Sequence, residues 1–158
     1  MIKAWLNYKK AYLCFNNFEM DNLVEILLRY KLRNTEIRRE ILTLFLDTDY
    51  ALSHQYIEKK LSSKFDRVTL YRTLKAFEES GLVHRIANDK ETIEYALCKD
   101  DCHVEHHKHS DNHAHFRCDT CHKTYCLDNV GIPDLHIPKG FSAKDFQLLV
   151  SGICDKCS

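Results

Sequence analysis

Two cysteine pairs, Cys118-x-x-Cys121 and Cys154-x-x-Cys157, constrain this chain more than any other feature. A two-residue spacer lets both sulfurs of a pair face one ion, and two such pairs supply the four thiolates of a tetrahedral structural Zn2+ site. The 32 residues between the pairs leave room for strands that bring the second pair back to the first. Disulfides are the alternative, and they need an oxidising compartment. No run of 18 apolar residues exists, and the N-terminus lacks an uninterrupted apolar stretch with a small-residue cleavage site. The expectation is therefore a cytoplasmic chain with reduced, metal-binding cysteines. A C-terminal unit this small would draw much of its folding free energy from that ion.

Histidine is concentrated in the same half, with eight of ten after residue 85. His113 and His115 stand at period 2, so on a strand they project to one side, and Phe116-Arg117 leads from them into the first knuckle. They are expected to be ordered metal ligands. His103, His106, His107 and His109 lie in a polar, acidic stretch that reads as a solvated loop of weak metal affinity. Cys98 closes a strand-like run and is either a ligand favouring zinc over iron or a small buried hydrophobe. Cys126 reads as a strand core residue. His84, His122 and His136 read as non-ligands, as does His54, the strongest exception among them.

The half before residue 86 carries net +4 and the remainder net −4, although the whole chain is neutral. Such asymmetry suits a basic half that meets a polyanion. Asp21, Thr35, Ser53 and Asp66 are cap-type residues, each followed by apolar spacing of one buried helix face, and Gly81 stops the last of the four helices. On that last helix Leu70, Leu74 and Phe77 form the buried stripe. The opposite side carries Val68, Arg72 and Lys75, flanked by Thr69 and Tyr71, with Arg38 on the second helix as a further candidate DNA contact. Two β-type runs, Leu82 to Ile86 and Thr92 to Leu97, then make a hairpin. Helices followed by a hairpin make a winged helix, a module that reads DNA in the major groove or, in another use, binds protein.

These motifs together resemble the ferric uptake regulator family of metal-responsive repressors over about residues 20 to 158. The resemblance rests on Leu32-Arg33-Asn34-Thr35-Glu36-Ile37-Arg38, on Arg67-Val68-Thr69-Leu70-Tyr71-Arg72-Thr73-Leu74, and on His113-x-His115-x-x-Cys118-x-x-Cys121 with the terminal pair. It implies a homodimer that binds palindromic double-stranded operator DNA when a regulatory Zn2+ or Fe2+ site is loaded. Tyr71 and Arg72 match the family's DNA-contacting pair, and His113 and His115 its regulatory histidines. Two further regulatory positions read as Ala51 and Ala96, so substitutes are expected among His54, Glu94, Cys98 and His103. Cys98 matches a cysteine of the zinc-uptake branch. Asn112, Ala114 and Phe146 replace ligands of a second family site, and Pro133 and Pro138 argue against a long C-terminal helix.

The expected fold is α+β, a winged helix-turn-helix DNA-binding domain followed by a small, mostly β, zinc-stapled dimerisation domain. Residues 1–19 read as a flexible or non-native extension, 20–97 as the winged helix, 98–112 as a His/Cys-rich hinge loop and 113–158 as the zinc-binding unit. The expected function is a zinc-sensing repressor of metal-uptake genes and no enzyme, with neither a membrane nor a small-molecule substrate as partner. An iron-responsive repressor is the nearest alternative. A zinc storage or delivery protein is another, and it would not need a recognition helix. His103-Val104-Glu105 upstream of the first knuckle echoes zinc deaminases, but Arg117 stands where their proline should be.

Overall fold

The computed structural model describes residues 16–87, 92–98, 113–131, 133, 136–142 and 146–158. Their elements run α1 (Asn16–Arg29), α2 (Glu36–Leu46), β1 (Leu52–Ser53), α3 (His54–Leu61), α4 (Arg67–Glu79), β2 (Val83–Ala87), β3 (Ile93–Leu97), β4 (His113–Cys118), β5 (Thr124–Gly131) and β6 (Leu148–Gly152). The architecture is α+β, a winged helix-turn-helix followed by a mostly β unit. The expected turn over 88–91, most of the hinge loop, including His103, and residues 1–15 lie outside the described residues.

α1 begins at Asn16, ahead of the cap expected at Asp21, which lies inside the helix. Residues 17–20 contain neither Pro nor Gly, so nothing in them stops a helix from extending backwards. The caps of α3 and α4 form as their residue types predict. Ser53 Oγ accepts the Tyr56 N–H at 3.1 Å, and Asp66 Oδ1 accepts the Thr69 N–H at 3.0 Å. The Thr69 hydroxyl, then its N–H, hold the Asp66 carboxyl below its ordinary range. α4 ends where Gly81 takes a φ of +78°, a conformation that a Cβ would oppose.

Leu27, Ile41, Leu42, Phe45, Ile57, Leu70, Leu74 and Phe77 meet in one core, closed by Leu52, Val83 and Tyr95 from the strands and by Leu82 just before β2. Burying each of the large ones stabilises the unit by about 1.5–3 kcal/mol. The wing is a three-stranded sheet of order β1-β3-β2. Its third strand, β1, is two residues long and too short to leave a period in the sequence.

The second sheet has the order β5-β4-β6, with β6 parallel to β4 and β5 antiparallel to it. Among the described residues no helix joins β5 to β6, in keeping with Pro133 and Pro138 in that connection. The two sheets are hydrogen-bonded to each other. Ala51 N–H donates to Thr124 O at 2.8 Å, the Thr124 hydroxyl donates to the buried Glu94 carboxylate at 2.6 Å, and Gln147 Nε2 donates to Arg85 O at 2.9 Å.

Candidate metal centres and nucleic-acid face

Parallel pairing of β4 with β6 sets Cys118 opposite Gly152, so both strands deliver a knuckle to the same end of the sheet. Asp119 N–H donates to Gly152 O at 2.7 Å and locks the two ends together. The ligand sulfurs of Cys118, Cys121, Cys154 and Cys157 consequently lie within 4.8 Å of one another. Cys121 Sγ and Cys154 Sγ are 3.8 Å apart. Bonds of about 2.3 Å to a tetrahedral zinc would separate sulfurs by about 3.8 Å.

The electrostatics of this group call for a cation. Cys118 Sγ accepts the backbone N–H groups of Cys121 at 3.5 Å and Cys154 at 3.4 Å, which brings its pKa down to about 6. Cys157, beside the Cys154 sulfur and partly desolvated, is pushed up to about 12. One thiolate is stabilised by the backbone while another is suppressed by its neighbours, so four thiolates need a positive ion. The donor set fits zinc.

A second group joins the two sheets. His84 on β2, His113 and His115 on β4 and Cys126 on β5 place ligand atoms within 4.8 Å of one another. His84 Nε2 lies 3.1 Å from His115 Nε2 and 3.6 Å from Cys126 Sγ. Tetrahedral bonds of about 2.0–2.3 Å would give separations of about 3.3–3.8 Å. His113 Nε2 and His115 Nδ1 are buried with no hydrogen-bond partner among the described residues. Burial, then the neighbouring His113, lowers the His115 pKa to about 4, which keeps its ring neutral at neutral pH. Neutral imidazoles, a thiol and an orphaned nitrogen fit a transition-metal ion.

Register explains why these four meet. His84 is the cross-strand partner of Ala96, and His115 is the partner of Cys126. Ala96 stands where the resemblance leads one to look for a ligand, and its short side chain gives His84, on the neighbouring strand, room to take that place. The β4–β5 register shifts between His113 and Ala114, whose partners on β5 are Gly131 and Leu127, so the regular pairing breaks at the first histidine. Sequence reasoning leaves His84 and Cys126 out, because their signal lies in cross-strand pairing and in no local spacing.

Other candidates lie elsewhere. Cys98 Sγ is 3.4 Å from Nδ1 of His84, behind that ring as seen from the cluster, where it can fix the tautomer. His54 is not part of either group: its Nδ1 is 3.6 Å from Glu58, and its ring meets the Tyr71 ring edge-on at 6.2 Å. Glu94 is engaged with Thr124.

On α4 the large apolar side chains of Val68 and Tyr71 are more than half exposed, beside exposed Arg72 and Lys75. Solvent exposure of a Val and a Tyr next to two cations marks a contact surface. Lys75 pairs with Glu79 at 3.6 Å, Thr69 gives its hydroxyl to the Asp66 cap, and Arg38 Nη1 donates to Arg33 O at 3.0 Å. Val68 and Tyr71 share an open groove with His54, Arg67, Ile93 and Tyr95, between α4 and the wing. No helix among the described residues is long and apolar enough to cross a membrane.

The profile of the ferric uptake regulator family matches residues 29–149. A ferric uptake regulation protein of Staphylococcus aureus is 25% identical over 143 residues, covering 87% of this chain and 96% of the relative. The peroxide operon regulator of Bacillus subtilis is 25% identical over 148 residues, covering 89% and 94%. Among solved structures, a zinc uptake regulator complexed with zinc and DNA superposes with a TM-score of 0.60 at 22% identity, covering 88% of this chain and 94% of that one.

Proposed function

The chain belongs to the ferric uptake regulator family, and from that membership we propose that it is a zinc-responsive repressor that binds palindromic operator DNA as a cytoplasmic homodimer. The observation that carries the zinc reading is the donor set of the second cluster, three imidazoles and the Cys126 thiol, with Cys98 behind His84. A thiolate among imidazoles suits zinc, whereas iron of this type is held by harder oxygen donors. Iron remains the second reading on the names of relatives such as the Staphylococcus aureus protein.

His84 belongs to the wing, and His113, His115 and Cys126 belong to the second sheet. An ion held by all four would fix the winged helix relative to the dimerisation unit and shift a looser ensemble towards one arrangement. In a dimer that arrangement sets the spacing of two α4 helices on DNA. Val68, Thr69, Tyr71, Arg72 and Lys75 would face the major groove, Arg72 reading a base edge and Arg38 lying nearer the backbone. The four-cysteine site would hold a permanent zinc that staples the sheet. Operator DNA must tighten the regulatory ion as much as the ion tightens DNA.

The test is binding to a metal-uptake promoter under buffered free Zn2+ and, without oxygen, Fe2+, starting from protein that keeps its tight zinc. Zinc-dependent binding that disappears in His113→Ala/His115→Ala, with one zinc retained, is the expected result. Binding with iron alone would reassign the sensor. Absence of binding with either metal, together with several labile ions per chain, would favour zinc storage.

A further inference from the structure

Three consecutive residues at the start of β5 are committed to three different partners. Thr124 holds Ala51 and Glu94 of the winged helix, and Cys126 belongs to the second metal cluster. Tyr125, whose side chain alternates to the other side of the strand, has its hydroxyl held well above the ordinary tyrosine range first by burial and then by the neighbouring sulfurs of Cys121 and Cys154. That hydroxyl is buried and makes no hydrogen bond among the described residues. Leaving a buried donor unsatisfied is costly. Thiolates on a metal are better acceptors than the thiols that surround it here, so zinc in the four-cysteine site would supply the missing acceptor.

The Tyr125 ring also reaches the DNA-binding unit. It meets the Tyr50 ring edge-on, with centroids 6.4 Å apart and planes at 70°. Lys156, inside the second knuckle, lies 5.5 Å from the Tyr125 ring and pairs with Asp49, while Lys123 Nζ sits 4.0 Å over Tyr50. Asp49 and Tyr50 lie between α2 and β1, immediately before the Ala51 amide that donates to Thr124. Aromatic and cation–π contacts of this kind form reproducibly between packed rings and lysines. Two aromatic rings, two lysines and one carboxylate thus bridge the zinc knuckles to the winged helix at a point separate from the second metal cluster.

We propose that Tyr125 is a positioning residue that ties the four-cysteine zinc site to the DNA-binding domain, its hydroxyl donating to a zinc-bound thiolate of Cys121 or Cys154 and its ring holding Tyr50. The four-cysteine site is then part of the coupling between metal and DNA as well as a staple of the sheet. The link to operator binding rests on the repressor reading, but the hydroxyl's contact with the thiolate does not.

Tyr125→Phe removes the hydroxyl and keeps the ring. With Co2+ in the four-cysteine site, the thiolate-to-metal charge-transfer band should move to lower energy in this variant, because a thiolate that loses a hydrogen bond gives up charge more easily. Zinc transfer to a chelator should accelerate about tenfold, the scale of losing one outer partner of a ligand. An unmoved band with an unchanged release rate would overturn the role of the hydroxyl. Tyr50→Leu, which leaves the sulfurs untouched, should keep both metal equivalents and the band yet weaken operator binding about fivefold, within the range of ordinary coupling between sites. Unaltered operator affinity in Tyr50→Leu would overturn the coupling. Should the unmodified protein bind no operator under any metal, the repressor reading fails, and the Co2+ band still decides whether Tyr125 contacts the zinc thiolates.

Discussion

On the repressor reading proposed above, single side chains set which ion the second cluster prefers. Cys126→Ser exchanges a soft donor for a weak oxygen donor while the four-cysteine group is left intact. The expected outcome, checked by competitive titration against a zinc chelator, is one zinc retained and the second bound at least about tenfold more weakly. His115 gives a pH dependence with a definite sign. Its folded pKa is about 4 against an ordinary 6.5, so the unfolded chain takes up a proton that the folded, metal-free chain refuses. Stability of protein without the regulatory ion should hold above pH 6.5 and fall as pH drops from there towards 4, read as denaturant midpoints across that range. His113 and His115 were legible as neighbours in the candidate cluster from their spacing. His84 was not, because it gains its place from pairing with Ala96 across the hairpin.

At the scale of elements, α4 is defined by three things the sequence displays: the Asp66 cap, the Leu70, Leu74 and Phe77 stripe, and Gly81 at the end. The cap and stripe leave Val68, Tyr71, Arg72 and Lys75 outside. Arg72→Ala should weaken operator binding by about 1–3 kcal/mol in a gel-shift titration, with zinc content and melting behaviour unchanged. Leu74→Ala, by contrast, should cost about 2–5 kcal/mol of folding stability, measured by chemical denaturation. The start of α1 was less legible, since nothing in residues 17–20 opposes a helix and hence nothing marks its boundary. β1 was illegible for a different reason. A two-residue strand exists only because β3 presents an edge to it.

For the whole molecule the decisive surface runs between the two sheets. Thr124 donates to a buried carboxylate, Glu94, and its carbonyl accepts from Ala51. Thr124→Val preserves shape but removes the hydroxyl from Glu94, so it should lower stability by about 1–3 kcal/mol and loosen the relative position of the two units. Hydrogen exchange at Ala51 is the measurement that separates these effects: faster exchange at that amide, with the helical core unchanged, is the expected pattern. Removal of the regulatory ion should loosen the same surface, since His84 lies on one side of it and His113, His115 and Cys126 lie on the other.

The winged helix and the grouping of residues on the candidate recognition face, in the four-cysteine group and in the histidine pair can all be read from the order of residues. Each is written in local spacing, through helical period, strand period, caps or a two-residue knuckle. Four other facts appear only once the strands are paired and packed: His84 and Cys126 join the histidine pair, Cys98 stands behind His84, His54 faces Tyr71 instead of a metal, and Tyr125 lies between the zinc knuckles and Tyr50. Those choices depend on strand register and on the packing of one sheet against another. A shift of one residue in register would send the strand side chains among them to the opposite face, and no local pattern in the chain records which register prevails.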